Sequence, residues 1–486
     1  MVASADAKIN DPLSGAVAMT CRINPLLQTD SYKAAHFEQY PPALERLSAY
    51  IESRGGAFEQ VVFFGLQALL KDHLLTPITH DDIEEAEEVF RAHGLVFNRQ
   101  GWQAVVDEFG GHWPVTIEAV PEGTVMPPGQ VQVQVTSAPG YAWLTTYIET
   151  VLLRAVWYPS TVASLSRRAK VLIKAGLDKT SDEPDEQLPF KLHDFGARGA
   201  TSAQAAMLGG MAHLVNFLGT DTVEALVGAR RYYHEPMAGF SIPASEHSTI
   251  TSWADAGELA AFAHLLDRFP TGLVACVSDS YDIHHAVNEL WGRTLKDRVL
   301  ARDGTLIVRP DSGDPTTTPL DVIESLMAAF GHHVNAKGYR VLPPQVRVIQ
   351  GDGMNLATIE QLINNAIQRG LSVDNFAMGM GGGLLQKLDR DTCQYAMKAN
   401  AVDFGHGWVD IQKTPSGDAS KASKKGRLAL IHDHGQWRTL PESEWQAMGE
   451  DRPHNHLQIV YHNGTLRVDQ TLSEIRARAQ LSAPCR

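Results

Sequence analysis

Residues 241–251 read Ser241-Ile242-Pro243-Ala244-Ser245-Glu246-His247-Ser248-Thr249-Ile250-Thr251, with Glu246 and His247 side by side among small and hydroxylated residues. The short apolar run Gly239 to Ile242 leads into this stretch, and a helix-like pattern, Trp253 to Phe269, follows it. The pattern predicts a strand-to-helix connection that presents a histidine at its open end, where α/β proteins place their chemistry. Taken alone, a histidine there reads more readily as a helix cap or a loop tether. What shifts the balance is that neighbouring units of the chain end in the same way.

On the N-terminal side, Leu188 to Leu192 runs into His193-Asp194-Phe195-Gly196-Ala197-Arg198-Gly199, and Leu214 to Leu218 into Gly219-Thr220-Asp221-Thr222. On the C-terminal side, Leu273 to Val277 ends in Ser278-Asp279-Ser280-Tyr281-Asp282, and Leu306 to Val308 in Arg309-Pro310-Asp311-Ser312-Gly313-Asp314. Val346 to Ile349 ends in Gln350-Gly351-Asp352-Gly353, and Asn375 to Met378 in Gly379-Met380-Gly381-Gly382-Gly383. Each unit is an apolar run, a polar or glycine cluster and a helical pattern, at the spacing of a strand, a crossover helix and a return. Such a series predicts a parallel α/β barrel with its site at the C-terminal mouth; a doubly wound open sheet is the alternative. The segments Asp282 to Trp291, Leu320 to Phe330 and Asn355 to Gln368 have the spacing of scaffold helices.

The flanks have another texture. Arg46 to Ser53 alternates like a strand and delivers Glu52-Ser53-Arg54-Gly55-Gly56, whereas Val61 to Leu75 and Asp81 to His93 read as amphipathic helices. Pro114 to Thr136 alternates between Pro-Glu-Gly and Pro-Pro-Gly turns, the signature of antiparallel sheet. Tyr147 to Trp157 and Ala163 to Leu177 look helical, followed by an Asp-, Glu- and Pro-rich loop, Asp178 to Gln187. Beyond Ala401 come short strands, Leu428 to Ile431 and Leu457 to Tyr461, and a last helix, Leu472 to Ala479. The expected organisation is a flexible extension over 1–22, a sheet domain over 23–142, a catalytic α/β barrel over 143–400, and a return to the sheet domain over 401–486.

Composition narrows the function. The 486 residues are 44% hydrophobic and 20% charged, ordinary for a globular protein of two or three domains. With 42 Lys and Arg against 56 Asp and Glu, the chain is acidic overall, which argues against a nucleic-acid or anionic-membrane partner. Cys21, Cys276, Cys393 and Cys485 lack disulfide or zinc-finger spacing, and neither a signal-peptide core nor a run of about 20 apolar residues is present; a reducing cytoplasm fits.

The barrel mouth would gather carboxylates Asp221, Asp279 and Asp311, arginines Arg198 and Arg309, and the aromatic Phe195, with Tyr32 if it reaches. Gly351-Asp352-Gly353 and Gly381-Gly382-Gly383 precede helices, and helix N-termini offer free N–H groups to a phosphate, although glycine after a strand is common for tight turning alone. Carboxylates flanked by arginine suit Mg²⁺ with a phosphorylated sugar.

These segments, together with Thr29-Asp30-Ser31-Tyr32-Lys33, Glu246-His247-Ser248-Thr249 and Gly382-Gly383-Leu384-Leu385-Gln386-Lys387, occur in the order found in the nicotinamide phosphoribosyltransferase family, which the chain resembles from about Leu26 to Ala479. The resemblance implies a type II phosphoribosyltransferase fold, an irregular α/β barrel plus a sheet domain from both chain ends, assembled as a head-to-tail homodimer with shared sites. It implies the reaction of nicotinamide with phosphoribosyl pyrophosphate to give nicotinamide mononucleotide and pyrophosphate, with Mg²⁺ and with ATP as co-substrate.

By the same resemblance, Phe195 and the partner's Tyr32 sandwich the nicotinamide ring and Asp221 accepts a hydrogen bond from its amide. Arg198, Arg309 and Asp311 match further substrate-site positions. Gly351, Asp352, Gly381, Gly382 and Arg390 match the ribose- and phosphate-holding group, and Arg54, Lys398, Lys413 and Lys421 basic residues near the phosphates. His247 matches a histidine phosphorylated by ATP, and Asp279 its orienting carboxylate; metal ligands are not assigned. Ala197 stands where the pattern leads one to expect tyrosine, and Ala396 where it leads one to expect serine. A nicotinate phosphoribosyltransferase on the same fold is one alternative, opposed by the acidic Asp221. A catalytically silent binding or signalling protein is another, opposed by the intact His247, Asp279 and Arg309.

Overall fold

The structure, a computed structural model, describes residues 23–414 and 422–481. The expected extension over 1–22 and the basic residue Lys421 lie outside these residues. Two sheets organise the rest. A six-stranded parallel sheet runs in the order Gly219–Thr220, Leu192–Asp194, Phe376–Met380, Val346–Gln350, Asp303–Arg309, Thr271–Val277. All its pairings are parallel, as strand, helix and return units require.

The segment expected to supply a further strand before His247 does so only through isolated parallel bridges, Gly219 to Phe240 and Ala244 to Ala275. These lie on the two edge strands, so the segment ties one edge to the other and the sheet curls into an irregular barrel instead of staying open. The ties are real hydrogen bonds: Thr220 N–H to Phe240 O at 3.0 Å, and Ala275 N–H to Pro243 O at 2.9 Å. Pro243 has no N–H to extend a ladder, which keeps the closure to single bridges.

The seven-stranded antiparallel sheet draws on both halves of the chain. Its order is Trp408–Asp410, Tyr395–Asp403, Arg46–Ser53, Val131–Ser137, Val115–Ala119, Gln458–His462, Thr465–Leu466. Arg46–Ser53 sits centrally, pairing from Arg46↔Asp403 to Ser53↔Tyr395, and seven of its eight residues are buried. The strand Tyr395–Asp403 crosses the boundary expected at residue 400.

Several local expectations are corrected. Val61 to Leu75 begins as the short strand Val61–Val62 and becomes helical only at Leu66–Leu69 and a π-helical turn, Leu70–Leu74. The two helices read from Tyr147 to Leu177 are a single 32-residue helix, Glu149–Thr180, running through Pro159. Proline cannot supply the helical N–H there, and the contact is absorbed by Gly65, where a Cβ would lie 2.3 Å from Pro159 Cγ. Leu214 to Leu218 is the cap and turn after helix Ala203–His213, so only Gly219–Thr220 forms the strand. Trp253 to Phe269 is α-helical only from Glu258 to Arg268, after a 3-10 turn, Asp255–Gly257. The helix Arg99–Phe109, capped by Asn98, was not anticipated.

Candidate active site

Parallel strands carry their C-terminal ends to one rim, and the polar clusters that follow them meet there. A cavity of about 650 Å³ opens at this rim, lined by Phe195, Arg198, Asp221, Glu246, Arg309 and Asp311, with Gly351, Asp352, Gly381 and Gly382 also on its wall. An adjoining recess of about 200 Å³ shares Arg198, Glu246, Arg309 and Asp311 and adds His247 and Ser248. Residues from strand ends far apart in sequence are thus brought together as expected.

His247 is the first residue of a short helix, His247–Thr251, and Glu246, not the histidine, is its cap. That frees the imidazole for another task. Its Nε2 lies 3.0 Å from Asp279 Oδ1, and the histidine side chain is 49% exposed while that of Asp279 is 3% exposed. Asp279 is held from behind, because its Oδ2 accepts the Asp311 N–H at 2.9 Å. A buried carboxylate on one ring nitrogen fixes the tautomer and leaves the other nitrogen open.

Asp311 also grips Arg309. The guanidinium donates from Nε at 2.9 Å and from Nη2 at 2.8 and 3.0 Å, so much of its charge is already matched. Held this way, Arg309 places its Cζ 5.6 Å from the centre of the Phe195 ring. A backbone also packs against that ring: a Cβ on Gly379 would lie 2.0 Å from Phe195 Cε2. Only glycine allows the aromatic to lie so close to the neighbouring strand. Gly379 had no role in the sequence reading, yet a lone glycine inside a strand pattern is a signal for such close approach.

Asp221 follows the strand Gly219–Thr220, is exposed to the cavity and accepts a hydrogen bond from Ser241 Oγ. The strand Leu192–Asp194, which pairs with Gly219–Thr220, carries two ionisable groups. Burial pushes the Asp194 carboxyl up to about 6, against the pull of the Gly196 N–H. Burial lowers the His193 pKa, with Asp221 acting in the opposite direction.

Among the described residues, Tyr32, Arg54, Arg390, Lys398 and Lys413 do not line this cavity. Tyr32 stands on the 3-10 helix Ser31–Glu38, 58% exposed, its ring edge-on to His36 at 5.1 Å. The basic residues form a group of their own: burial lowers the Lys398 pKa, and Arg54, Lys413 and Arg390 add to the effect while Glu149 opposes it. Arg54 is tied to Glu52 at 3.2 Å and to Ala422 O at 3.0 Å.

Among the described residues, no group of three or more His, Cys, Asp or Glu side chains is placed to hold a metal ion. No helix of the described chain is long and apolar enough to cross a membrane.

Comparison with known proteins agrees with this geometry. Residues 190–465 match the nicotinate phosphoribosyltransferase (NAPRTase) family, and residues 24–117 match the N-terminal domain of nicotinamide phosphoribosyltransferase. The chain is 49% identical over 461 residues to a protein of Xanthomonas campestris pv. campestris named nicotinamide phosphoribosyltransferase, covering 94% of this chain and 98% of that one. A protein of the same name from Acinetobacter baylyi is 30% identical, covering 95% of this chain and 98% of that one. Among solved structures, nicotinate-nucleotide pyrophosphorylase from Pyrococcus furiosus superposes with a TM-score of 0.60 at 17% identity, covering 96% of this chain and 97% of that one, a likeness of fold.

Proposed function

The chain belongs to the nicotinamide phosphoribosyltransferase family, and from this we propose that it transfers the phosphoribosyl group of phosphoribosyl pyrophosphate to nicotinamide, releasing nicotinamide mononucleotide and pyrophosphate. The observation that carries the reading is the placement, around one cavity, of the Phe195 ring, the Asp221 carboxylate and the Arg309–Asp311 pair.

The pyridine nitrogen attacks ribose C1 as the C1–O bond to pyrophosphate breaks, so positive charge develops on the sugar. Catalysis then depends on holding the ring in line and on neutralising the leaving group. Phe195 offers a face for the ring, and Tyr32, exposed on the sheet domain, would cover the other face from a second subunit of a homodimer. Asp221 accepts from the carboxamide NH₂. The N–H groups around Gly351 and Gly381-Gly382, with Arg198, suit the ribose phosphate, and the group formed by Arg54, Arg390, Lys398 and Lys413 suits pyrophosphate. Mg²⁺ bound to the pyrophosphate would lower the charge of the leaving group, with Asp311 and Asp352 two of the four carboxylates on the cavity wall, beside Asp221 and Glu246.

ATP acts at His247. With Nε2–H held by Asp279, the Nδ1 lone pair attacks the γ-phosphorus, the bond to the bridging oxygen breaks and ADP leaves. The phosphorylated ring stands at the recess that opens into the substrate cavity, so its charge and its hydrolysis can be coupled to the transfer.

Asp221 separates nicotinamide from nicotinate. A second carboxylate there adds like-charge repulsion and leaves an acceptor unpaired, the latter alone costing about 1–3 kcal/mol. The expected preference for nicotinamide is about a thousandfold or more in kcat/KM. Asp221→Asn keeps the shape and removes the charge, so it should weaken nicotinamide use and narrow the gap. An unchanged ratio of the two kcat/KM values would show that Asp221 does not read the amide.

A further inference from the structure

We infer that Asp194 and Thr220 are positioning residues for the carboxamide, a buried clamp that fixes Asp221 and Phe195 relative to one another. The inference rests on the nicotinamide reading above and concerns residues to which that reading gives no role.

Asp194 ends the strand Leu192–Asp194 and is fully buried. Among the described residues no Lys, Arg or His forms an ion pair with it, so hydrogen bonds alone offset its burial. Every one of those bonds ends beside a residue that lines the cavity. Oδ1 accepts the Gly196 N–H at 2.8 Å, which bends the chain immediately after Phe195. Oδ2 accepts the Thr220 hydroxyl at 3.4 Å, and the Asp194 carbonyl accepts the Asp221 N–H at 2.9 Å. Thr220 Oγ1 in turn accepts the Thr222 N–H at 3.0 Å.

Asp221 is therefore bracketed. The residue before it and the residue after it are held by one hydroxyl, that hydroxyl is held by Asp194, and the peptide of Asp221 is anchored to the same residue. An apolar side chain could fill this place at the end of a strand without the cost of burying a carboxylate. What it could not supply is an acceptor for the turn after Phe195 and, at the same time, for the turn that presents Asp221. The approach is close on the third side as well, since a Cβ on Gly210 would lie 3.2 Å from Asp194 Oδ2, so the carboxylate has little room to turn away.

A clamp of this kind acts on one substrate. Nicotinamide depends on Asp221 and Phe195, whereas phosphoribosyl pyrophosphate is expected at the glycine turns and the basic group. The full-length protein carrying Thr220→Val, which keeps the branched shape and removes the hydroxyl, should raise KM for nicotinamide about tenfold and leave KM for phosphoribosyl pyrophosphate within about twofold. Thr220→Ser restores the hydroxyl and should stay within about twofold of wild type for both. Asp194→Asn should raise the nicotinamide KM as well, and adding Thr220→Val to it should have a smaller effect than in the wild type, because the two residues share one bond while Thr220 alone holds the Thr222 N–H. Thr220→Val with an unchanged nicotinamide KM, equal rises in both KM values, or Thr220→Ser as damaging as valine would overturn the inference. A wild type that makes no nicotinamide mononucleotide would overturn the substrate reading and this inference together, so the two failures are distinguishable.

Discussion

Replacing Gly379 by alanine adds one methyl group at the back of the pocket and tests whether the Phe195 ring is a substrate platform. The added Cβ would lie 2.0 Å from Phe195 Cε2, 2.1 Å from Cδ2 and 3.0 Å from Cζ. Carbon atoms rest at about 3.5–4.0 Å, so the ring must retreat by about 1.5 Å or the two strands must part. Parting the strands is resisted by the ladder Met378↔Leu192, Gly379↔His193, Met380↔Asp194, so the ring is the part displaced, out of its place beside Arg309. Overpacking of this size costs about 1–3 kcal/mol of stability, and an error of about 1 Å in a reacting partner costs up to about a hundredfold in rate. Steady-state kinetics should show kcat/KM for nicotinamide reduced about ten- to a hundredfold in a protein whose circular dichroism is unchanged. In a Phe195→Ala background the same substitution has nothing to displace and should change kcat/KM by less than about twofold. A Gly379→Ala enzyme with wild-type kcat/KM, or an undiminished effect without Phe195, would refute the reasoning.

The His247–Asp279 pair makes a separate prediction: ATP and Mg²⁺ should leave an acid-labile, base-stable phosphate on the wild type, absent in His247→Ala, and Asp279→Asn should slow its appearance at least about tenfold by releasing the tautomer. Phosphate on serine, or labelling that survives in His247→Ala, would contradict it. If Tyr32 serves a neighbouring subunit, mixing inactive Tyr32→Ala chains with inactive Asp221→Ala chains should restore part of the activity, because some hybrid sites carry neither lesion; a fully active monomer in sedimentation would argue against this. Lys398→Met should raise KM for phosphoribosyl pyrophosphate about tenfold with little change for nicotinamide, read from the two substrate titrations, and the reverse pattern would remove the basic group from the phosphate site.

Much of the barrel was legible because its strands are short apolar runs ending in polar clusters, so the register of Asp194, Asp279, Arg309, Gly351 and Gly381 at one rim follows from chain order alone. The segment before His247 was harder. Its apolar run resembles the others, but Pro243 and the single bridges at Phe240 and Ala244 make it a strap between the sheet edges, and that depends on where the edges come to lie. Pro159 hid the continuity of the helix Glu149–Thr180, since the room for its ring comes from Gly65, in a distant part of the chain. The pairing of Asp279 with His247 was expected only from family resemblance, and geometry supplies its physical form, a 3.0 Å contact with a buried carboxylate. The support of Phe195 by Gly379 and of Asp221 by Asp194 and Thr220 depends on the parallel pairing of strands distant in sequence, which no local pattern encodes.

The most direct test of the substrate assignment is a product assay in which the protein, phosphoribosyl pyrophosphate, Mg²⁺ and ATP are incubated with nicotinamide and nicotinate side by side and the nucleotides are separated. The geometry of Asp221 and Phe195 predicts nicotinamide mononucleotide and pyrophosphate in equal amounts, with nicotinate mononucleotide lower by about a thousandfold at equal substrate. Nicotinate mononucleotide as the main product, or the two nucleotides formed at similar rates, would contradict it.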